Sequence, residues 1–305
     1  MAKPFLKWAG GKRQLLPILQ QYLPPQLARG EIEHYFEPFV GGGAVLWAIA
    51  CQFPQVQRTI FDLNPELIMA YTTIQRDVEA LIEQLAILQT HYFTLTPPQQ
   101  SQYYYQIRAQ FNEQRQTFDF RCYDSPWIER TAMLIFLNRT CFNGLFRVNS
   151  QGDFNVPVGR YKNPKICDRP NLTQVSQILQ GTQINQGDFT QIETRIKPKS
   201  FVYFDPPYRP LNRTASFNAY ASQGFDEGDQ IRLKELCDRL HHQGILFMVS
   251  NSDPHNIDPQ DNFFDHLYGD YQIIRIPATR MINSRAQKRG PIHELLIFNY
   301  DPPSR

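Results

Sequence analysis

Phe201-Val202-Tyr203-Phe204-Asp205-Pro206-Pro207-Tyr208 joins an apolar run to a carboxylate, two prolines and an aromatic ring. Four consecutive apolar residues ahead of a proline turn read as a strand buried on both faces. The prolines remove backbone donors and fix φ, so the chain leaves the sheet there with its carbonyls held rigidly. Ligands of open α/β sheets bind beyond the carboxyl ends of the strands. Asp205 and the Pro206 carbonyl then make two fixed acceptors, with Pro207 stiffening the turn and the Tyr208 ring beside them. That set suits one task, gripping a planar amino group by its two N–H bonds while a ring stacks on the heterocycle. Taken alone, Asp-Pro-Pro reads more simply as a proline-rich turn capped by an aspartate; the buried strand before it favours the ligand.

Outward from this stretch, strands and helices alternate. His34–Phe39, Thr59–Leu63, Thr182–Asn185 and Ile245–Ser250 read as further strands, and Tyr271–Pro277 with Glu294–Tyr300 as a terminal antiparallel hairpin. Helices are expected from about Ala44, over Glu66–Thr90 as one long amphipathic element, from Pro97 to about Arg115, after Ser125-Pro126, and over Asp226–His242 up to Gly244. The alternation brackets a block without it. The pattern predicts an α/β fold, a doubly wound, mostly parallel sheet of seven strands with a mostly helical insertion. The expected division is a sheet-bearing domain from 1–69 and 166–305 and an inserted domain over 70–165.

The turn Phe36-Glu37-Pro38-Phe39-Val40-Gly41-Gly42-Gly43 follows the first strand. Its glycines let backbone N–H groups face a ligand at close range. Asp62 lies 21 residues beyond Gly41, the expected place for a carboxylate that binds ribose hydroxyls. A dinucleotide site would need a third glycine where Leu46 stands, so an adenosine cofactor without phosphates fits better, S-adenosylmethionine foremost. Phe5-Leu6-Lys7-Trp8-Ala9-Gly10-Gly11-Lys12 is not a Walker loop, since Leu6 and Arg13 occupy the positions of its first glycine and its Ser or Thr. Lys12 is suited to the carboxylate of a methionine moiety, and Trp8 either to that pocket or to the core.

Over 305 residues the net charge is only +2, but cations cluster. Residues 1–13 hold Lys3, Lys7, Lys12 and Arg13 without an acid. Residues 138–170 hold Arg139, Arg147, Arg160, Lys162, Lys165 and Arg169 against Asp153 and Asp168, and residues 275–289 hold five cations without an acid. Such clusters suggest a polyanion footprint, although each alone reads equally well as a solvated face. Five cysteines, an odd number at wide spacing, read as reduced, mostly buried thiols of a cytoplasmic protein. The seven histidines have no ligand spacing, so no metal is expected. No apolar run approaches membrane-spanning length.

Together these stretches resemble the Dam-type DNA adenine-N6 methyltransferases, the alpha-ordered D12 class. Four elements carry the resemblance in the family's order: Phe5–Lys12, Phe36–Gly43 with Asp62-Leu63-Asn64, Asn138–Tyr161, and Asp205–Tyr208. It is weakest over about 71–125. The resemblance implies a Rossmann-like methyltransferase fold and S-adenosylmethionine bound by Trp8, Lys12, Asp62 and Asp205, with Phe39, Gly41, Gly43, Asp188 and Phe189 lining the pocket. It implies that Lys7, Leu145, Arg147, Pro157 and Tyr161 read base pairs of a GATC-like site in double-stranded DNA, with Arg160 on the same DNA-binding stretch. Phe142 and Asn143 would fill the gap left by a flipped adenine. Phe142 stands where some members have tyrosine, which keeps stacking and discards a phenol hydrogen bond. Leu145 and Pro157 suit thymine methyls, and Arg147 suits guanine O6 and N7. Lys162, Lys165 and Arg169 are expected to clamp phosphates.

The expected reaction is transfer of a methyl group to adenine N6, without metal or covalent intermediate. A restriction endonuclease acting on the same site is a potential functional partner. Rival readings are amino methylation of RNA adenine, cytosine N4 or protein glutamine, and a DNA-binding relative without activity. A cytosine-C5 enzyme would need a cysteine after a proline, and none is present.

Overall fold

The computed structural model describes residues 2–8, 10–209, 225–279 and 291–303. Short helices α1 (Leu16–Leu19) and α2 (Pro25–Ala28) precede β1 (His34–Glu37), and α3 (Ala44–Gln52) leads to β2 (Gln57–Asp62). A helical stretch follows: α4 (Pro65–Arg76), α5 (Val78–Thr94), α6 (Pro97–Arg115), α7 (Pro126–Thr140) and α8 (Arg169–Leu179). The chain then runs through β3 (Thr182–Gln186), β4 (Ser200–Phe204), α9 (Glu227–His242), β5 (Leu246–Ser252), α10 (Phe263–Leu267), β6 (Gln272–Thr279) and β7 (Pro291–Phe298).

The strands form one seven-stranded sheet in the order β3-β2-β1-β4-β5-β7-β6. β1 runs parallel to β2 and β4, and β4 to β5, whereas β7 runs antiparallel between β5 and β6. This is the α/β sheet with a terminal antiparallel hairpin that the sequence predicts. Every residue of β4 is buried, which is why it reads as an unbroken apolar run. Strand order reverses beside β1, so the carboxyl ends of β1 and β4 flank the switch point at which such sheets take ligands.

Two elements differ from expectation. The long helix over Glu66–Thr90 is two helices, broken at Asp77, whose backbone leaves the helical region (φ −137°, ψ 48°). The Asp77 carboxylate accepts a hydrogen bond from Tyr123, which holds the break. Helix α8 has no counterpart in the sequence reading. Its signals are modest: Asp168 before it, Pro170 in its first turn, and Leu172, Val175 and Leu179 buried along one face.

The chain divides into two compact units: Met1–Gly11, Gly41–Cys51 and Phe61–Gly187 in one, Lys12–Val40, Gln52–Ile60 and Asp188–Arg305 in the other. Within the first, α7 packs against α4, α5 and α6. The fully buried Arg130 of α7 forms a two-pronged ion pair with Glu66, donating from Nε to Oε2 at 2.9 Å, and a further bond to the Phe111 carbonyl at 2.7 Å. Within the second, Tyr35, Phe201, Val202, Phe247 and Leu295 are solvent-free core. Only Cys141 and Cys237 are buried; Cys51 and Cys122 are exposed, one in the last turn of α3 and one in the α6–α7 loop, so thiols are less buried than expected. Among the described residues no helix is long and apolar enough to cross a membrane.

Candidate active site and DNA-reading loop

Asp205 leaves the end of β4 as one vertex of a buried charged cluster. Lys12, only 3 % exposed, places its ammonium 2.9 Å from Asp205 Oδ1 and 3.3 Å from Glu294 Oε2. The same ammonium donates to the Tyr208 hydroxyl, which in turn donates to Glu294 Oε2 at 2.6 Å. Ser250 of β5 donates to Asp205 Oδ1 at 3.1 Å and shares a hydrogen bond of 2.9 Å with the Tyr203 hydroxyl. Among the described residues none donates to Asp205 Oδ2 or to the Pro206 carbonyl. The Pro207 carbonyl, by contrast, accepts from the buried amide of Gln230 at 3.3 Å, and Asn251 fixes that amide's oxygen at 3.1 Å. Pro206 is buried and Pro207 exposed. The Pro207 carbonyl is held by its own chain, whereas Asp205 Oδ2 and the Pro206 carbonyl accept no hydrogen bond among the described residues.

Burial pushes the Asp205 carboxyl up, against the pull of the Lys12 ammonium, and the nearby Glu294 charge adds to the rise. Burial, then Asp205 and Glu294, push the Tyr208 hydroxyl well above its ordinary range. Lys12, expected to meet a cofactor carboxylate, here meets two carboxylates of its own chain. Glu294 was not singled out from sequence, because an acid in an edge hairpin carries no motif.

In the same unit Phe39 stacks on Phe189 with centroids 5.3 Å apart, and Phe225 meets Phe39 edge-on at 5.5 Å. Asp188 Oδ1 accepts from the Thr190 backbone at 3.0 Å and from Arg232 at 3.1 Å, so this carboxylate also caps the turn that follows it.

In the other unit, the glycine turn closes on Asp62. Asp62 Oδ2 accepts the Gly41 N–H at 3.0 Å and Oδ1 that of Asn64 at 2.9 Å. Burial raises this carboxyl to about 6, and the N–H groups of Asn64, Gly41 and Leu63 oppose the rise. A carboxylate accepts about four bonds, so both oxygens retain capacity for ligand hydroxyls. At Gly43 (φ +71°) a Cβ would stand 2.6 Å from the Tyr71 hydroxyl and 3.0 Å from the Trp47 ring, so only glycine fits. Trp8 stacks on Phe146 at 5.3 Å and lies against Gly41.

The segment 138–161 folds back on itself. Bridges pair Cys141 with Val158 and Val148 with Phe154, and Phe142 N–H donates to the Pro157 carbonyl at 2.8 Å. Asn138 binds this segment to the N-terminal motif: its side chain accepts from Lys7 N–H at 2.8 Å and donates to the Lys7 and Gly144 carbonyls at 2.9 and 3.0 Å. Lys7 Nζ donates to the Tyr161 hydroxyl at 3.1 Å. Phe142 is half exposed, and Asn143 beside it is left-handed (φ +56°), turning the pair outward. Arg147 Nε donates to Asn155 Oδ1 at 2.7 Å. Pro157 and Arg160 are exposed, and Leu145 and Tyr161 are half-buried. Thus Phe142, Asn143, Leu145, Arg147, Pro157 and Tyr161 come from one closed loop, and Lys7 from the N-terminal segment tied to it. Helix α6 supports the loop: Tyr104 donates to the Val156 carbonyl at 2.7 Å, and Asn112 makes bonds to both Phe154 N–H and C=O. Sequence alone gave this helix no role.

Two of the three expected phosphate clamps are paired with acids of the same chain. Lys165 pairs with Asp168 at 2.7 Å and Arg169 with Glu79 at 3.0 Å, while Lys162 is exposed. Of the third basic cluster, Arg275 pairs with Asp253 and Asp265; Arg280, Arg285, Lys288 and Arg289 lie outside the described residues.

A family model described as D12 class N6 adenine-specific DNA methyltransferase matches residues 8–282. The chain belongs to this family. It is 44 % identical to the type II methyltransferase M.MjaIII of Methanocaldococcus jannaschii over 98 % of this chain and 99 % of the relative. It is 38 % identical to the type II methyltransferase M1.LlaDCHI of Lactococcus lactis over 98 % and 95 %. Identity to the DNA adenine methylase of Escherichia coli is 32 % over 98 % and 96 %. As a D12-class methyltransferase the protein acts on adenine in DNA, and methyltransferases generally draw the methyl group from S-adenosylmethionine.

Proposed function

We propose that this methyltransferase flips an adenine out of double-stranded GATC and transfers the methyl group directly to N6. The observation that carries the reading is a pair of acceptors at the proline turn. Asp205 Oδ2 and the Pro206 carbonyl have no described donor, whereas Asp205 Oδ1 and the Pro207 carbonyl are fixed by their own chain. Two acceptors without a described donor, beside the largely buried Tyr208 ring, match the two N–H bonds and the face of adenine.

The adenine amino group is a poor nucleophile because its lone pair is delocalised into the ring, and a base inside a duplex is out of reach. Hydrogen bonds from both N–H groups to Asp205 and Pro206 favour a pyramidal nitrogen with an available lone pair. That lone pair forms the new N–C bond, and the proton released passes to Asp205 or to solvent. Tyr208 stacks on the base. Catalysis is then mainly positioning and electrostatics.

The residues present suit S-adenosylmethionine. Asp62 retains acceptor capacity for ribose hydroxyls, and Trp8, Phe39 and Phe189 offer aromatic surface. When bound, the cofactor supplies an electrophilic methyl group whose carbon–sulfur electron pair stays on sulfur. Lys12, Gly41, Asp188 and Asp205 complete its proposed contacts.

Residues 70–165 act as the recognition domain in this reading. Phe142 and Asn143 fill the vacated stack, Lys7, Leu145, Arg147, Pro157 and Tyr161 read bases, and Arg160 contacts the backbone. The type II names of two relatives support a modification role beside an endonuclease of the same specificity. Expression in a host without adenine methylation tests the reading: its DNA should resist a GATC endonuclease that N6-methyladenine blocks. Methylation at another sequence would overturn the site assignment, and no adenine methylation would overturn the function.

A further inference from the structure

Glu294 sits on β7, paired in register with Ser252 of β5 and Ile276 of β6, away from the motifs that define the family. Its carboxylate is nevertheless 15 % exposed at most and holds two groups of the active-site cluster, the Tyr208 hydroxyl and the Lys12 ammonium, on one oxygen. Lys12 touches Asp205 as well, so the two carboxylates stand within about 6 Å of each other around one cation. Among the described residues, one ammonium stands between two acids, which leaves this cluster short of positive charge.

That shortage bears on the proposed grip. Asp205 must be a strong acceptor for an amino group, yet a full ion pair with Lys12 would spend its charge. We propose that Glu294 is a positioning residue for methyl transfer: it shares Lys12 with Asp205, leaving Asp205 basic enough to take the amino group, and it fixes the Tyr208 hydroxyl and thereby its ring. This rests on the reading of Asp205 as the acceptor of the target amino group. Among the described residues, the other groups around Asp205 are the Ser250 hydroxyl and the phenols of Tyr203, Tyr208 and Tyr35, and one further acid, the buried Glu37, accepts from the Tyr35 hydroxyl at 2.7 Å.

Glu294→Gln tests this, because glutamine keeps the shape and an acceptor for Tyr208 and discards only the charge. Lys12 then falls wholly to Asp205. We expect kcat for adenine methylation to drop about tenfold or more, KM for DNA to stay within about threefold, and the acid limb of the rate profile to move down by about 1 pH unit. A carboxylate NMR titration of the cofactor-free protein should move Asp205 down by the same amount, a readout independent of turnover. Glu294→Asp keeps the charge, should recover most of the rate and should leave the acid limb in place; it also serves if the glutamine variant does not fold. A merely structural role would slow the enzyme without moving either titration, and that result overturns the proposal, as does an aspartate variant whose acid limb shifts like that of glutamine. An active wild type, an inactive Asp205→Ala and a Glu294→Gln indistinguishable from wild type would overturn only the role of Glu294. A wild type that methylates no adenine would overturn the reading beneath it.

Discussion

Replacing Arg147 separates reading from mere attraction. A guanidinium has five N–H donors. In this fold Nε is spent on Asn155 Oδ1 at 2.7 Å, and one Nη donor reaches the Asn155 carbonyl at a weak 3.4 Å. The tether fixes the inner edge of the fork and leaves its outer donors for a base edge. Guanine presents O6 and N7 there, and a good bidentate pair is worth about 1–3 kcal/mol of discrimination. At 1.36 kcal/mol per tenfold, that is roughly 5- to 150-fold in relative rate. Arg147→Ala should therefore lose this preference at one base pair while discrimination at the others persists. Arg147→Lys should keep low-salt affinity and lose the same discrimination, because a point charge cannot reproduce the fork. Asn155→Ala should cost only the tether, about 1 kcal/mol. Neutralising Lys162, Lys165 and Arg169 should instead weaken all sequences about equally and flatten the salt dependence. Their exposed pairs with Asp168 and Glu79 cost little to exchange for phosphates. The assay is initial methylation rate on GATC and singly substituted duplexes at several salt concentrations. Uniform weakening by Arg147→Ala, with preference among sites unchanged, would refute the reasoning and make Arg147 a phosphate contact.

Asp205→Ala should abolish single-turnover methylation, whereas Asp62→Ala should chiefly weaken S-adenosylmethionine binding measured by calorimetry. Because burial raises Asp62 to about 6, its ionised form prevails only above that pH; cofactor affinity should fall as pH is lowered through 6, and Asp62→Asn should level that dependence in the same titrations. Arg130→Met strands the Glu66 carboxylate in the core and should cost about 3–5 kcal/mol in urea unfolding, with much of the loss recovered when Glu66→Gln is added.

β4 was legible because a parallel strand buried on both faces reads as a continuous apolar run. The proline turn after β4, the glycine turn and the loop over 138–161 stand out in the sequence because each has unusual local chemistry: prolines, left-handed glycines, or an asparagine-rich run without periodicity. What supports them was not. Ser250, Gln230 and Asn251 look like ordinary strand and helix residues, and only tertiary packing brings them to the proline turn. Asn112 and Tyr104 lie in a helix whose sequence carries no signal for the loop it holds. The break at Asp77 was hidden because the apolar pattern continues on both sides of it, and Tyr123, which donates to the Asp77 carboxylate, is remote in sequence.

The most direct test of the central claim is sequencing of modified bases in DNA from adenine-methylation-deficient cells that express the wild-type protein or Asp205→Ala. The account expects N6-methyladenine at GATC on both strands with the wild type and none with Asp205→Ala. Methylated adenine persisting in the Asp205→Ala cells, or modification of a base other than adenine, would contradict it.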